Sequence, residues 1–131
     1  MIEALTSDGV VLAYVAHALE EPTHTRFLTP HECNLQVGQV VYPAGGQISR
    51  HMHLPVERHL VETSEVLVVQ RGRCEVDVYD EDRQLVATRE LGVGDILIAV
   101  RGGHGFRVLE DTVLLEVKQG PYPGVAEKER F

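Results

Sequence analysis

Along most of the chain, hydrophobic residues recur with the two-residue period of β-strands and not with the 3.6-residue period of helices. Residues 74–79 alternate apolar with charged side chains, as in a strand with one buried face. Residues 66–69 are apolar throughout, which predicts a strand covered on both faces. Because Gly72 lies in the short link between these two segments, the pattern predicts that they form a hairpin.

Further apolar segments separated by turn residues predict a chain of about nine short strands, which is typical of an all-β sandwich or barrel. A helical turn is predicted only near the start of the chain or at residues 29–32, where Pro30 suits a first helical position. The remaining predicted strands lie at residues 10–15, 35–42, 85–88, 96–100, 106–109 and 112–117.

Length and composition limit the class of protein. A chain of 131 residues fits one domain, and 44% hydrophobic with 24% charged residues is ordinary for a globular protein. A net charge of −8 without a basic run argues against a nucleic-acid partner. Cys33 and Cys74 lack metal-binding spacing, which indicates a reducing compartment. Neither a signal peptide nor a membrane span is recognisable, so we expect a cytoplasmic protein without membrane contact.

Four residues form a candidate metal site. His51 and His53 are two positions apart, so in a strand both imidazoles project from one face. Glu65 opens an apolar strand, where a buried carboxylate needs a partner or a cation. His104 follows a Gly-Gly turn and opens another apolar strand. The pattern predicts a ring of these ligands at one end of a barrel, suited to Zn, Ni, Fe or Mn.

The same residues resemble the first motif of the cupin superfamily. Gly45, five residues, His51-Met52-His53, a gap, Glu65, six residues and Gly72 follow that motif in order. The gap between His53 and Glu65 has eleven residues, more than the family typically has, so a longer connection is expected here.

The second cupin motif is similar but less complete. Gly94 and Gly102 fit the motif, Val100 replaces its proline, and His104 arrives one residue early. The resemblance implies a double-stranded β-helix, the cupin or jelly-roll barrel, as a single domain of residues 1–131. Its core would span about residues 36–117, and residues 118–131 would form a C-terminal extension.

By the same resemblance, the ligands of a divalent metal ion are His51, His53, Glu65 and His104. Glu57 also lies at a short gap from His53 and stays open as an alternative carboxylate ligand.

A narrower resemblance concerns function. Residues 45–72 and the ending at residues 115–122 are similar to small cupins associated with nucleotide-sugar and surface-polysaccharide synthesis. This implies a metal-dependent isomerase or epimerase acting on a small, anionic or sugar-derived keto or hydroxy metabolite. One alternative is a metal-free sugar ketoisomerase, in which His51 and His53 act as acid and base and Arg58 or Arg107 holds a phosphate. Another is a non-catalytic barrel that binds a small molecule. Exposed sheet edges in folds of this kind favour a homodimer.

Overall fold

Short β-strands account for the regular structure, as the two-residue period predicts. The computed structural model describes residues 1–124 and 127–131 in full and residues 125 and 126 by their backbone alone. Within this part, the only helical segment is a 3₁₀ turn at Gly124–Glu127, and no helix has the length and hydropathy needed to cross a bilayer. The strands are β1 Ile2–Ser7, β2 Val10–Ala16, β3 Arg26–Phe27, β4 Gly38–Gln39, β5 Glu65–Arg71, β6 Cys74–Tyr79, β7 Leu85–Leu91, β8 Ile96–Ala99, β9 Gly103–Val108 and β10 Val113–Lys118.

Two compact units make up the chain. The first combines Met1–Leu19 with Glu62–Phe131 and contains β1, β2 and β5 to β10. The second is Glu20–Val61 and contains β3 and β4. The core predicted at residues 36–117 did not include β1 and β2, which supply Leu5, Leu12 and Val15 to the core of the first unit.

The first unit consists of two antiparallel sheets with a shared core. One sheet has the order β1-β2-β8-β5-β10, and the other has the order β7-β6-β9. Neither sheet closes into a barrel, so the unit is all-β and consistent with a β-sandwich. Its core contains Leu5, Leu12, Ala13, Val15, Leu67, Val69, Cys74, Val76, Val78, Leu91 and Leu97.

Strand β5 is covered on both faces, as its unbroken apolar run predicts. Leu67 and Val69 belong to the core, while Val66 on the opposite face is also buried and pairs with Ile98 of β8. Because β5 lies between β8 and β10, its backbone is hydrogen-bonded on both sides. The first residue of this interior strand, Glu65, therefore has a fixed position at its end.

The predicted hairpin of β5 and β6 is wrong. Strand β5 pairs with β8 and β10, whereas β6 pairs with β7 and β9, so the link at Gly72 carries the chain from one sheet to the other. Gly72 has a φ of 82°, and a Cβ there would lie 2.2 Å from the backbone oxygen of Asp111. Asp111 belongs to the connection from β9 to β10, so the two crossings between the sheets are packed against each other.

The hairpin of β1 and β2 was missed in the sequence. Ser7 pairs with Val10 across a two-residue turn in which Asp8 and Gly9 have φ values of 49° and 76°. Two positive φ angles define the type I′ turn that matches the twist of adjacent strands, and Asp-Gly is among its preferred sequences. The Asp8-Gly9 dipeptide was therefore the signal that would have placed a strand at the start of the chain.

The second unit has little regular structure. Its β3 and β4 form a two-residue ladder, and the Nε of Arg26 donates to Gln39 across it at 2.8 Å. The strand predicted at residues 35–42 is thus reduced to Gly38–Gln39. The predicted helical turn at residues 29–32 is also wrong, because these residues form a turn closed by the Cys33 N–H and the Pro30 carbonyl.

Candidate functional site

Glu65 and His104 meet at one end of the first unit, although they belong to different sheets. The Nε2 of His104 lies 3.1 Å from the Oε2 of Glu65. Glu65 shares the inner face of β5 with Leu67 and Val69, and His104 shares the inner face of β9 with Phe106. The predicted position of each residue at the head of an apolar strand therefore holds, and the two-residue period directs both side chains into the space between the sheets.

The connection before β9 positions His104. Gly102 has a φ of 72°, and a Cβ there would lie 2.3 Å from the backbone oxygen of Tyr79. Only glycine allows the chain to pass the end of β6 this closely. His104 then pairs with Val78 of β6, whose side chain belongs to the core.

The pair of Glu65 and His104 is electrostatically favourable in spite of burial. The Glu65 side chain is 9% exposed and that of His104 is 28% exposed. The hydrogen bond from His104 holds the pKa of Glu65 below its usual value and outweighs burial, which raises it. The positive charges of Lys118 and Lys128 act in the same direction as His104. The carboxylate is therefore stabilised in its ionised form, the form that binds a cation or accepts a proton.

An open cavity of about 630 Å³ contains this pair, a volume in the range of small-molecule sites. Strands and their connections supply part of its wall, and the C-terminal segment at residues 127–131 supplies the rest. The lining side chains that are not glycine are Thr63, Glu65, Tyr79, Arg83, His104, Glu127, Lys128, Glu129, Arg130 and Phe131.

The spacing of the two donor atoms fits a metal ion. Zinc binds imidazole nitrogen and carboxylate oxygen at about 2.0–2.2 Å, so two adjacent ligand atoms in tetrahedral or octahedral geometry lie roughly 2.8–3.6 Å apart. The 3.1 Å between the Nε2 of His104 and the Oε2 of Glu65 falls within this range. These two residues would fit half of a metal centre once the His104 Nε2 gives up the proton that it donates to Glu65.

His51 and His53 form a second pair, in the second unit. No strand covers them, so the expectation that a strand aligns them is wrong. Their rings nevertheless lie side by side, with centroids 5.3 Å apart. The Nδ1 of His51 is 2.9 Å from the carbonyl oxygen of Ser49, which only accepts hydrogen bonds. This contact places the proton on Nδ1 and leaves the Nε2 lone pair free, the arrangement common in metal-binding histidines.

The structure thus brings the four predicted ligands together as two pairs, one in each unit. Among the side chains that the structure describes, no group of three or more His, Cys, Asp or Glu is arranged to hold a metal ion within either unit. A single centre formed by His51, His53, Glu65 and His104 stays a prediction.

The other predicted residues have simpler surroundings. Glu57 and Arg58 are exposed in the second unit, and the Nη1 of Arg58 lies 3.5 Å from the Val56 carbonyl oxygen. Of the two carboxylates considered as ligands, Glu65 is the buried one and has an imidazole partner.

Arg107 is already paired, because its two terminal guanidinium nitrogens contact carboxylates of β6. It donates to Glu75 at 2.6 Å and also contacts Asp77. Hydrogen bonds from Arg107 and Thr88 hold the pKa of Asp77 below its usual value. Since Glu75 and Asp77 balance the charge of Arg107, the geometry favours a structural role over phosphate binding.

Two ion pairs involve charged residues outside the predicted metal site. The Nδ1 of His17 contacts Asp95 at 3.0 Å, and Asp95 also accepts hydrogen bonds from the N–H groups of Gly92 and Ala18. The side chain of Lys118 is only 14% exposed, and its Nζ lies 2.7 Å from a carboxylate oxygen of Glu127. Because Lys118 pairs in register with Glu65, it links the candidate site to the C-terminal segment.

No protein-family model matches the chain, and comparisons with curated proteins and with solved structures give no match. The case for a function therefore rests on the residues and the geometry of this chain.

Proposed function

We propose that the protein is a metal-binding cupin with a double-stranded β-helix fold that acts on a small sugar-like, keto or hydroxy metabolite. The observation that carries the proposal is the contact between Glu65 and His104, whose donor atoms have metal-ligand spacing inside a cavity of small-molecule size. His51 and His53 are proposed as the other two ligands, since the Nε2 of His51 is free to bind a cation.

The residues of the chain have distinct roles in this proposal. A bound divalent ion supplies Lewis-acid chemistry, by which a carbonyl or hydroxyl oxygen of a substrate is polarised. Glu65 and His104 would hold the ion in the cavity, where burial of Glu65 limits the access of water to its carboxylate. Tyr79 and Phe131, in edge-to-face contact with centroids 5.1 Å apart, supply an aromatic wall for the less polar part of a substrate. An isomerase or epimerase fits this arrangement.

A second candidate function is metal-free proton transfer, as in a sugar ketoisomerase. The free Nε2 of His51 is suited to act as a base, with His53 beside it as the acid. Most donor groups of the Arg58 guanidinium are available for a phosphate, because its contact with the Val56 carbonyl uses only Nη1. A non-catalytic binding barrel would use the same cavity without turnover.

Strand β10 supports a homodimer. It lies at the edge of the five-stranded sheet, where its outer backbone groups have no neighbouring strand. Leu115 and Val117 lie on its outer face and are 47% and 50% exposed. An apolar edge strand of this kind is suited to pairing with a second copy of the chain.

Elemental analysis of protein purified without a chelating tag tests the metal proposal. We expect about one divalent ion per chain in the wild type and in a His24→Ala control, and loss of that ion in His51→Ala and in His104→Ala. His24 is a suitable control because it is exposed and its ring is hydrogen-bonded to the neighbouring Thr23, outside the predicted site.

Retention of the metal in both site variants would refute the assignment of its ligands. A wild-type protein that is folded and free of metal would favour the proton-transfer alternative. Assays for turnover of keto-sugar nucleotides would then separate an isomerase from a binding barrel.

A further inference from the structure

The C-terminal segment at residues 127–131, here called the strap, forms one wall of the cavity that contains Glu65 and His104. It is attached to the rest of the first unit at three points. Glu127 binds Lys118 of β10, Glu129 binds Arg83 at 2.9 Å, and the Phe131 ring packs against Tyr79 of β6. Each attachment uses a different element or connection of the first unit.

The three attachments differ in strength. The side chains of Arg83 and Glu129 are 51% and 81% exposed, so water and salt screen their ion pair. Phe131 also remains largely exposed beside Tyr79. In contrast, the side chains of Lys118 and Glu127 are 14% and 13% exposed, and their ion pair is shielded from solvent. This pair is therefore the attachment on which the position of the strap depends most.

Lys118 also belongs to the surroundings of the site. It pairs in register with Glu65, and the positive charge of Lys118 favours the ionised form of Glu65. Lys118 thus lies beside a carboxylate that lines the cavity and binds the carboxylate that fixes the strap. The attachment of the strap lies next to the candidate site and not at a distance from it.

We propose that the strap restricts access to Glu65 and His104 from one side of the cavity, and that the ion pair of Lys118 with Glu127 is the latch that holds the strap there. A ligand enters when the weak outer contacts of Glu129 and Phe131 release and the latch opens. The strap then limits the size of molecule that reaches the site. This inference rests on the cavity and its wall and does not require a metal ion.

Chemical modification of His104 tests the proposal. Diethyl pyrocarbonate modifies accessible histidines, and peptide mass spectrometry measures the rate at each histidine in metal-free protein, with exposed His24 as internal reference. We expect Glu127→Gln to speed modification of His104 about threefold or more, since the latch loses its charge attraction. Lys118→Arg, which keeps the charge, is expected to preserve the wild-type rate. Glu90→Gln is the matched control, because it removes an exposed ion pair with Arg73 outside the cavity.

Cleavage of the strap by trypsin after Lys128, in the same variants, shows whether the strap has been released. Faster cleavage together with faster modification of His104 in Glu127→Gln supports the proposal. Faster cleavage with an unchanged rate at His104 would mean that the strap does not cover the site. No change in either rate would mean that Lys118 and Glu127 are not the latch. Lys118→Met provides the second test should Glu127→Gln fold poorly, as judged by circular dichroism.

Discussion

Replacing His104 with alanine should expose the energetic cost of the buried carboxylate beside it. Glu65 accepts its side-chain hydrogen bond from His104 at 3.1 Å and is buried at the head of the interior strand β5. A hydrogen bond to a charged group contributes about 1.5–3 kcal/mol. We therefore expect His104→Ala to lower the free energy of unfolding by about 2 kcal/mol at neutral pH, in the presence of a chelator.

The assay is urea unfolding followed by circular dichroism. With an m-value of about 2 kcal/mol/M for a small protein, the midpoint should fall by about 1 M. The loss should be much smaller when His104→Ala is made in a Glu65→Gln background, because the buried charge is then absent. An equal loss in both backgrounds would refute the view that His104 stabilises the Glu65 carboxylate.

The pH dependence provides an independent check on the same interaction. His104 lowers the pKa of Glu65 in the folded state, so the stabilisation is present above the unfolded value of 4.5 and is lost as the pH falls through the folded pKa. The difference in stability between the wild type and His104→Ala should therefore narrow on acidification below about pH 4.5. A difference that widens there would contradict the direction of the shift.

Two further predictions concern the sheets. Gly72→Ala should destabilise the protein by more than about 2 kcal/mol, since its positive φ and a close backbone oxygen both oppose a Cβ, and unfolding by urea measures this. Gly94→Ala is the matched control, because its φ is 88° with nothing within 4 Å of a Cβ, so a loss as large as that of Gly72→Ala would contradict the reasoning. Leu115→Glu should convert the proposed homodimer to a monomer in light scattering; a wild type with the mass of one chain would refute the dimer.

Local pattern was sufficient for most strands of the first unit and failed for the second. Alternation and apolar runs placed β5, β6 and β8 close to their observed bounds, because these strands are buried in a way that periodicity reports. Residues 51–61 contain apolar side chains such as Met52 and Leu54, yet no strand forms there and both are largely exposed. Apolar residues alone do not form a strand, because a strand also needs a neighbouring strand to which its backbone can hydrogen-bond.

The local sequence pattern could not predict which strands pair with one another. Gly72 was correctly predicted to lie in a link between two strands. That link carries the chain from one sheet to the other, so β6 does not pair with β5. A reversal of chain direction is a local property, whereas pairing depends on which other strands are available. Strand β5 is paired on both edges by β8 and β10, which come from later parts of the chain.

The sequence by itself determined the all-β class and the placement of Glu65 and His104 at the heads of apolar strands. A period of two and the cost of burying an unpartnered carboxylate are properties of short segments. Only the tertiary structure decided that the two residues face each other across two sheets and that Lys118 of β10 binds Glu127. These contacts join residues distant in the chain, and their geometry depends on how the sheets pack, which no local pattern encodes.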